Sequence, residues 1–174
     1  MTIPALNNTF KKSSLLFRLL ILALPLSSFA QRPMRGPLPE EQRRLIHEMA
    51  RAHEKITREV ELTASGYRAR TTSADPEIVA MLKAHVAYMK ERLASGAMVR
   101  RWDPAFIELV AHHEDISAEI IELDDGVEVR VTGATPEAVR VAQNHASIVS
   151  GFVNEGEAAV RRKHSRVLVD SPGE

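Results

Sequence analysis

The feature that most constrains this chain is an internal repeat. Shifted by sixty residues, "HEKITREVELTASGYRARTTSADPEIVAMLKAHV" lies on "HEDISAEIIELDDGVEVRVTGATPEAVRVAQNHA". No gap is needed from His53/His113 to Gly96/Gly156, and Gly66/Gly126, Arg70/Arg130, Pro76/Pro136 and His85/His145 are identical pairs. Two copies are too few for a solenoid, which needs three or more to bury its faces. The expectation is one domain built from repeats at about 39–96 and 103–156, related by a pseudo-twofold axis.

Each copy reads as helix, strand, strand, helix. The first helix is expected over roughly 40–54, with Leu45, Ile46, Met49 and His53 at helical spacing. Its counterpart opens at Asp103-Pro104, an N-cap followed by proline, and carries Phe106, Leu109, Val110 and His113. Ile56, Val60 and Leu62 alternate as in a strand; so do Ile116 and Ile120, and Val127, Val129 and Val131. Asp124-Asp125-Gly126 and Ala64-Ser65-Gly66 mark hairpin turns. The closing helices open at Asp75-Pro76-Glu77 and Thr135-Pro136-Glu137 and end near Gly96 and Gly156. The predicted fold class is therefore α+β: a four-stranded antiparallel sheet covered by helices.

The first thirty residues stand outside this plan. Lys11, Lys12 and Arg18 precede an apolar run from Leu19 to Leu26, and Ser28-Phe29-Ala30 is a small-x-small site. That is the layout of a signal peptide cleaved near Ala30, and it predicts a periplasmic or secreted protein. The run falls short of the ~20 apolar residues of a membrane span, and no second such run follows. Segments 31–38 and 166–174 read as disordered ends flanking a single domain at 39–165.

Without the leader's three basic residues, the mature chain has 20 Lys and Arg against 23 Asp and Glu. Nothing in this balance suggests nucleic acid as a partner. The expected company is a homodimer or an exported redox or metal-handling protein. Cysteine is absent, which excludes disulfides, thiolate chemistry, iron–sulfur clusters and thioether-linked haem.

The residues that invite a function are histidines in apolar phase. Ile78, Leu82, His85 and Met89 share one helix face; the second copy has Ala138, Ala142, His145, Val149 and Phe152. His53 and His113 follow the apolar positions of the first helices. Buried imidazoles need partners, and neutral imidazole is the commonest metal ligand. The expected metal set is His53, His85, Met89, His113 and His145, for copper, zinc or iron. Haem b, held by His85 and His145 with Phe152, Met81 and Leu82 as apolar walls, is the other possibility. The alternative is a structural or protein-interaction module whose histidines only pack in the core, with Trp102 on a lid or partner surface. No nucleophile elbow, phosphate loop or paired metalloprotease motif appears, so an enzyme is not favoured. The remaining catalytic arrangement would pair a histidine with Glu59 or Glu119.

The segments "IHEMARAHEKI", "SADPEIVAMLKAHVAYMKERL", "RRWDPAFIELVAHHEDI" and "NHASIVSGFVNEG" resemble a family of exported bacterial proteins of uncharacterised activity. Its pattern is a hairpin glycine, a Ser-x-Asp-Pro cap, then His-Val with methionine four residues on. The chain keeps Ser73, Asp75, Pro76, His85, Val86 and Met89, and in the second half His145, Ala146, Val149, Ser150, Phe152 and Val153; Gly133 to Pro136 replaces the second cap. The resemblance implies export and this layout, and it singles out His53, His85 and His145 without naming a substrate.

Overall fold

The computed structural model describes residues 36–168. The expected leader, 1–30, lies outside the described residues, as do 31–35 and 169–174. The fold is α+β, a four-stranded antiparallel sheet with five α-helices, ordered as two helix-strand-strand-helix units.

The first unit runs α1 (Glu40–Arg51), β1 (Thr57–Thr63), β2 (Gly66–Thr72) and α2 (Pro76–Ala94). The second runs α3 (Pro104–Ala111), β3 (Ile116–Leu123), β4 (Gly126–Gly133) and α4 (Pro136–Glu155), with a short α5 (Glu157–Val160) behind it. Helix starts follow local chemistry. Asp75, Asp103 and Thr135 each accept a backbone N–H of the first turn, and proline follows at the first helical position. Both hairpins close through two-residue loops, with Thr63 opposite Gly66 and Leu123 opposite Gly126.

The strand order is β1-β2-β4-β3. The units meet along β2 and β4, where Ala69 lies opposite Val129, two positions that the sixty-residue offset equates. One sheet face carries Tyr67, Ala69, Val127 and Val131 into the core. The other carries Arg68, Glu119, Glu128 and Arg130, linked by ion pairs of 2.8–3.7 Å, and Arg70, which pairs with Asp125 at 3.0 Å. Helices therefore cover one face only, and the charged face meets solvent. Second helices cross over: α2 lies on β3 and β4, while α4 lies on β1, β2 and β4. Among the described residues no helix is long and apolar enough to cross a membrane.

The first helix is shorter than its periodicity suggests. It stops at Arg51, and His53–Lys55 forms a separate 3-10 turn; His113–Asp115 repeats this after α3. His53 and His113 thus sit on the turn entering the strand, off the helix face. On edge strand β1 the inward phase is right but its outer end is uncovered: Val60 is 38% exposed and Leu62 61%.

The expected disordered ends are partly tied down. Arg92 is fully buried, and its Nη2 donates to the Gly36 carbonyl at 2.6 Å. At the other end, Val167 and Leu168 donate backbone N–H groups to the Glu108 carboxylate at 2.9 and 3.0 Å. The domain thus extends past residue 165 because a buried carboxylate on α3 needed donors and the tail supplies them.

Candidate functional site, a cation-lined apolar cavity

Between α2, α4 and the sheet the core is hollow. A cavity of about 560 Å³ opens there, within the usual range for small-molecule sites. Its walls are mostly apolar, from Leu93, Leu109, Ile120, Val129, Val149 and Phe152 among others. The charged groups on it are all cationic. Arg43, Arg58, Lys90, Arg100 and Arg161 line it, and no aspartate or glutamate does.

Most of these cations are near the rim or otherwise engaged. Arg161 and His47 share Glu157 at 3.1 and 2.9 Å. Arg100 binds Asp103, donates to the carbonyls of Val160 and Arg162, and stacks over Trp102 at 4.3 Å. Trp102, 47% exposed, is the chain's single tryptophan and lies on the cavity.

Arg58 differs. It points inward from β1, donates Nη1 to Thr71 Oγ1 at 2.8 Å, and lies against the Tyr67 phenol. Its Nε is buried without a partner, and no carboxylate lies within ion-pair distance among the described residues. Burial pulls the guanidinium below its ordinary pKa and pushes the Tyr67 phenol up.

His85 on α2 and His145 on α4 both face this cavity. Neither ring makes a hydrogen bond to another described residue, and His85 Nδ1 is buried without a partner. The rings are half-buried, their remaining exposure turned to the cavity. Burial pushes both pKa values down to about 4; for His145 the positive field of Arg58 adds to the effect. Both are neutral imidazoles near pH 7. His145 also meets Phe106 edge-on at 5.4 Å, and Phe106 stacks with Phe152.

The expected ligand set is divided by the fold. His85, His145, Met89 and Phe152 share the cavity. His53 and His113 do not: their Nδ1–H groups donate to the carbonyls of Val153 and Val110, each at 2.9 Å. Their rings pack instead on two glycines. A Cβ on Gly156 would lie 2.5 Å from the His53 ring, and one on Gly96 would lie 2.7 Å from His113 Nε2. Among the described residues no group of three or more His, Cys, Asp or Glu is placed to hold a metal ion. Met81 and Leu82 belong to a separate cluster with Met49, Ile56 and Ile78, so they are not walls of the histidine site. Glu59 and Glu119 project from the opposite sheet face to the helices and form no pair with the histidines.

Sequence reasoning missed Arg58 and Tyr67. Arg58 was readable as a charge in the inward phase set by Ile56, Val60 and Leu62. Tyr67 is the second residue of β2, whose odd positions are buried. Compared with family models, with curated proteins and with solved structures, the chain shows no significant match.

Proposed function

We propose that this is an exported binding protein that takes up a small amphipathic anion, with the apolar body inside the cavity. The observation that carries this is the pairing of a cavity of about 560 Å³ with two lining residues, His85 and Arg58, that each bury a ring or guanidinium nitrogen without a hydrogen-bond partner among the described residues. An unsatisfied buried polar group costs about 1–3 kcal/mol, a cost that a ligand supplying an acceptor or donor removes. The single sign of charge on the walls favours an anion and raises its local concentration at the mouth. Export rests on the leader-like segment 1–30.

A second reading, haem b, is favoured by one observation: His85, His145 and Met89 reach the same cavity, on apolar walls that include Phe152. Haem is itself an amphipathic anion, and its carboxylates suit Arg43 and Lys90 at the rim. A bare copper, zinc or iron ion fits less well, because it would sit among cations with no carboxylate to offset its charge.

The test is a titration of the mature protein, stripped of bound lipid, with dodecanoate and separately with haemin. Trp102 emission reports occupancy, and a Soret shift reports iron ligation. Saturable one-to-one binding of either supports the proposal. A protein that binds neither would instead be the interaction module with core-packed histidines.

A further inference from the structure

We infer that Arg58 and Tyr67, with Thr71 holding the guanidinium, form a carboxylate anchor on the cavity wall near His145, so that an amphipathic ligand sets its charged head at Arg58 and its apolar tail along the aliphatic and aromatic walls. This rests on the proposed binding role and deepens it by naming the head group and its orientation.

The argument starts from an imbalance. A buried guanidinium without a counter-ion is costly, and proteins retain such a group where something else supplies the charge. Among the described residues Arg58 has no carboxylate partner, although the sequence is rich in acids and the sheet's outer face pairs its own arginines. Arg68 and Arg130 both meet Glu128 there. The inward arginine is held in place by Thr71 Oγ1 through Nη1, which fixes the plane of the guanidinium while Nε stays unpaired. A planar guanidinium without a counter-ion suits the paired hydrogen bonds that a carboxylate accepts.

The surroundings fit one negative charge. Tyr67 adds a hydroxyl next to the guanidinium, and it lines the same cavity. Arg58 and Tyr67 stand on the inner sheet face of neighbouring strands, and both line the cavity. His145 is neutral, so a monoanion balances Arg58 whereas a dianionic phosphate would leave a surplus in an apolar pocket. The other cations near the mouth steer the ligand in but are exposed or already paired with Glu157 and Asp103. Beyond the anchor the walls are aliphatic and aromatic, which suits an alkyl or aryl tail.

The experiment compares dodecanoate, dodecan-1-ol and dodecyl phosphate, by calorimetry and Trp102 emission, on the mature protein and on Arg58→Met, Arg58→Lys and Arg140→Met; Arg140 lies off the cavity and pairs with Glu137. The wild type is expected to bind dodecanoate at least about ten-fold more tightly than the alcohol. Arg58→Met is expected to erase that preference while still binding the alcohol, and to melt no lower than wild type. Arg58→Lys should keep part of the preference, which covers the case in which Arg58→Met does not fold. Arg140→Met should leave the preference intact. The inference is overturned if Arg58→Met or Arg58→Lys binds dodecanoate as wild type does, if Arg140→Met alone removes the preference, or if dodecyl phosphate binds more tightly than dodecanoate. Failure of all three ligands to bind the wild type would remove the binding role itself, a different outcome from binding without head-group selection.

Discussion

The His113 imidazole occupies the space that a side chain on residue 96 would need: Nε2 lies 2.7 Å from the position of a Cβ there, and Gly96 has φ +66°. His53 and Gly156 stand in the same relationship, with φ +58° and a ring carbon at 2.5 Å. Each histidine reaches across to the other unit's closing helix, so these pairs lock the two units together.

Gly96→Ala should therefore destabilise by about 2 kcal/mol, from the left-handed backbone and the ring clash. The two sites differ in one respect. At Gly96 the nearest atoms are all from the His113 ring, whereas at Gly156 the Ala50 carbonyl also lies at 2.5 Å. Adding His113→Ala should recover part of the Gly96→Ala loss, while His53→Ala should recover less at Gly156. Denaturant melts of the two double-mutant cycles measure this difference as coupling energy; equal coupling at both sites would argue against it.

Acid should weaken the ligand-free protein through His85 and His145. Their pKa values are pushed down from the ordinary 6.5 to about 4, so between these values the unfolded chain binds more protons than the folded one. Stability from this source is complete above pH 6.5 and is lost as pH falls toward 4. The loss is at most about 3 kcal/mol for each ring, reduced by whatever screening cavity water provides. Thermal melts from pH 7 to pH 4 should show it, and the double variant His85→Leu/His145→Leu should flatten the profile. An unchanged slope in that variant would place the acid sensitivity elsewhere.

Replacing His145 by Leu removes an imidazole without a hydrogen-bond partner from an apolar wall. The ligand-free protein should gain about 1 kcal/mol, read as a higher melting temperature, because both the polar group and its need for a partner disappear. Haem binding, if it occurs, should weaken in the same variant. A marked destabilisation would mean that the ring has a packing role that its contacts with Phe106 understate.

The buried carboxylate of Asp103 joins three segments. It caps α3, accepts from Arg100 Nε at 3.2 Å, and accepts from the Nδ1–H of His164 at 2.8 Å, while His164's own carbonyl takes the Ala105 N–H. Asp103 is completely buried. Asp103→Asn keeps the cap but takes the charge from Arg100, and it should cost about 3 kcal/mol. Glu108→Gln should free the segment at Val167 and Leu168 at a smaller cost, visible as faster amide exchange there.

Much of this architecture was legible in the chain because its signals are local. Asp-Pro caps, two-residue hairpin loops and terminal glycines set the elements, and strand alternation placed Val127, Val129 and Val131 inward. The site was only half legible. Helical phase put His85, Met89, His145 and Phe152 on faces that do meet one cavity, yet phase carries no information on whether facing helices touch or leave space between them. It also grouped His53 and His113 with the others, although the 3-10 turns rotate them onto backbone carbonyls and glycines. The anchoring of the tail by Asp103 and Glu108 depends on contacts across about sixty residues of sequence, which no local pattern encodes.

The central claim is that the cavity, rather than the protein's surface, holds the ligand. The most direct measurement is calorimetric titration of dodecanoate into the wild-type mature protein and into Val149→Trp, which places an indole in the space between α4 and the sheet. The account predicts one site per wild-type chain, and a folded, equally or more stable variant with binding reduced at least about ten-fold, since the added ring fills volume that the ligand needs. Undiminished one-to-one binding by a folded Val149→Trp would contradict it.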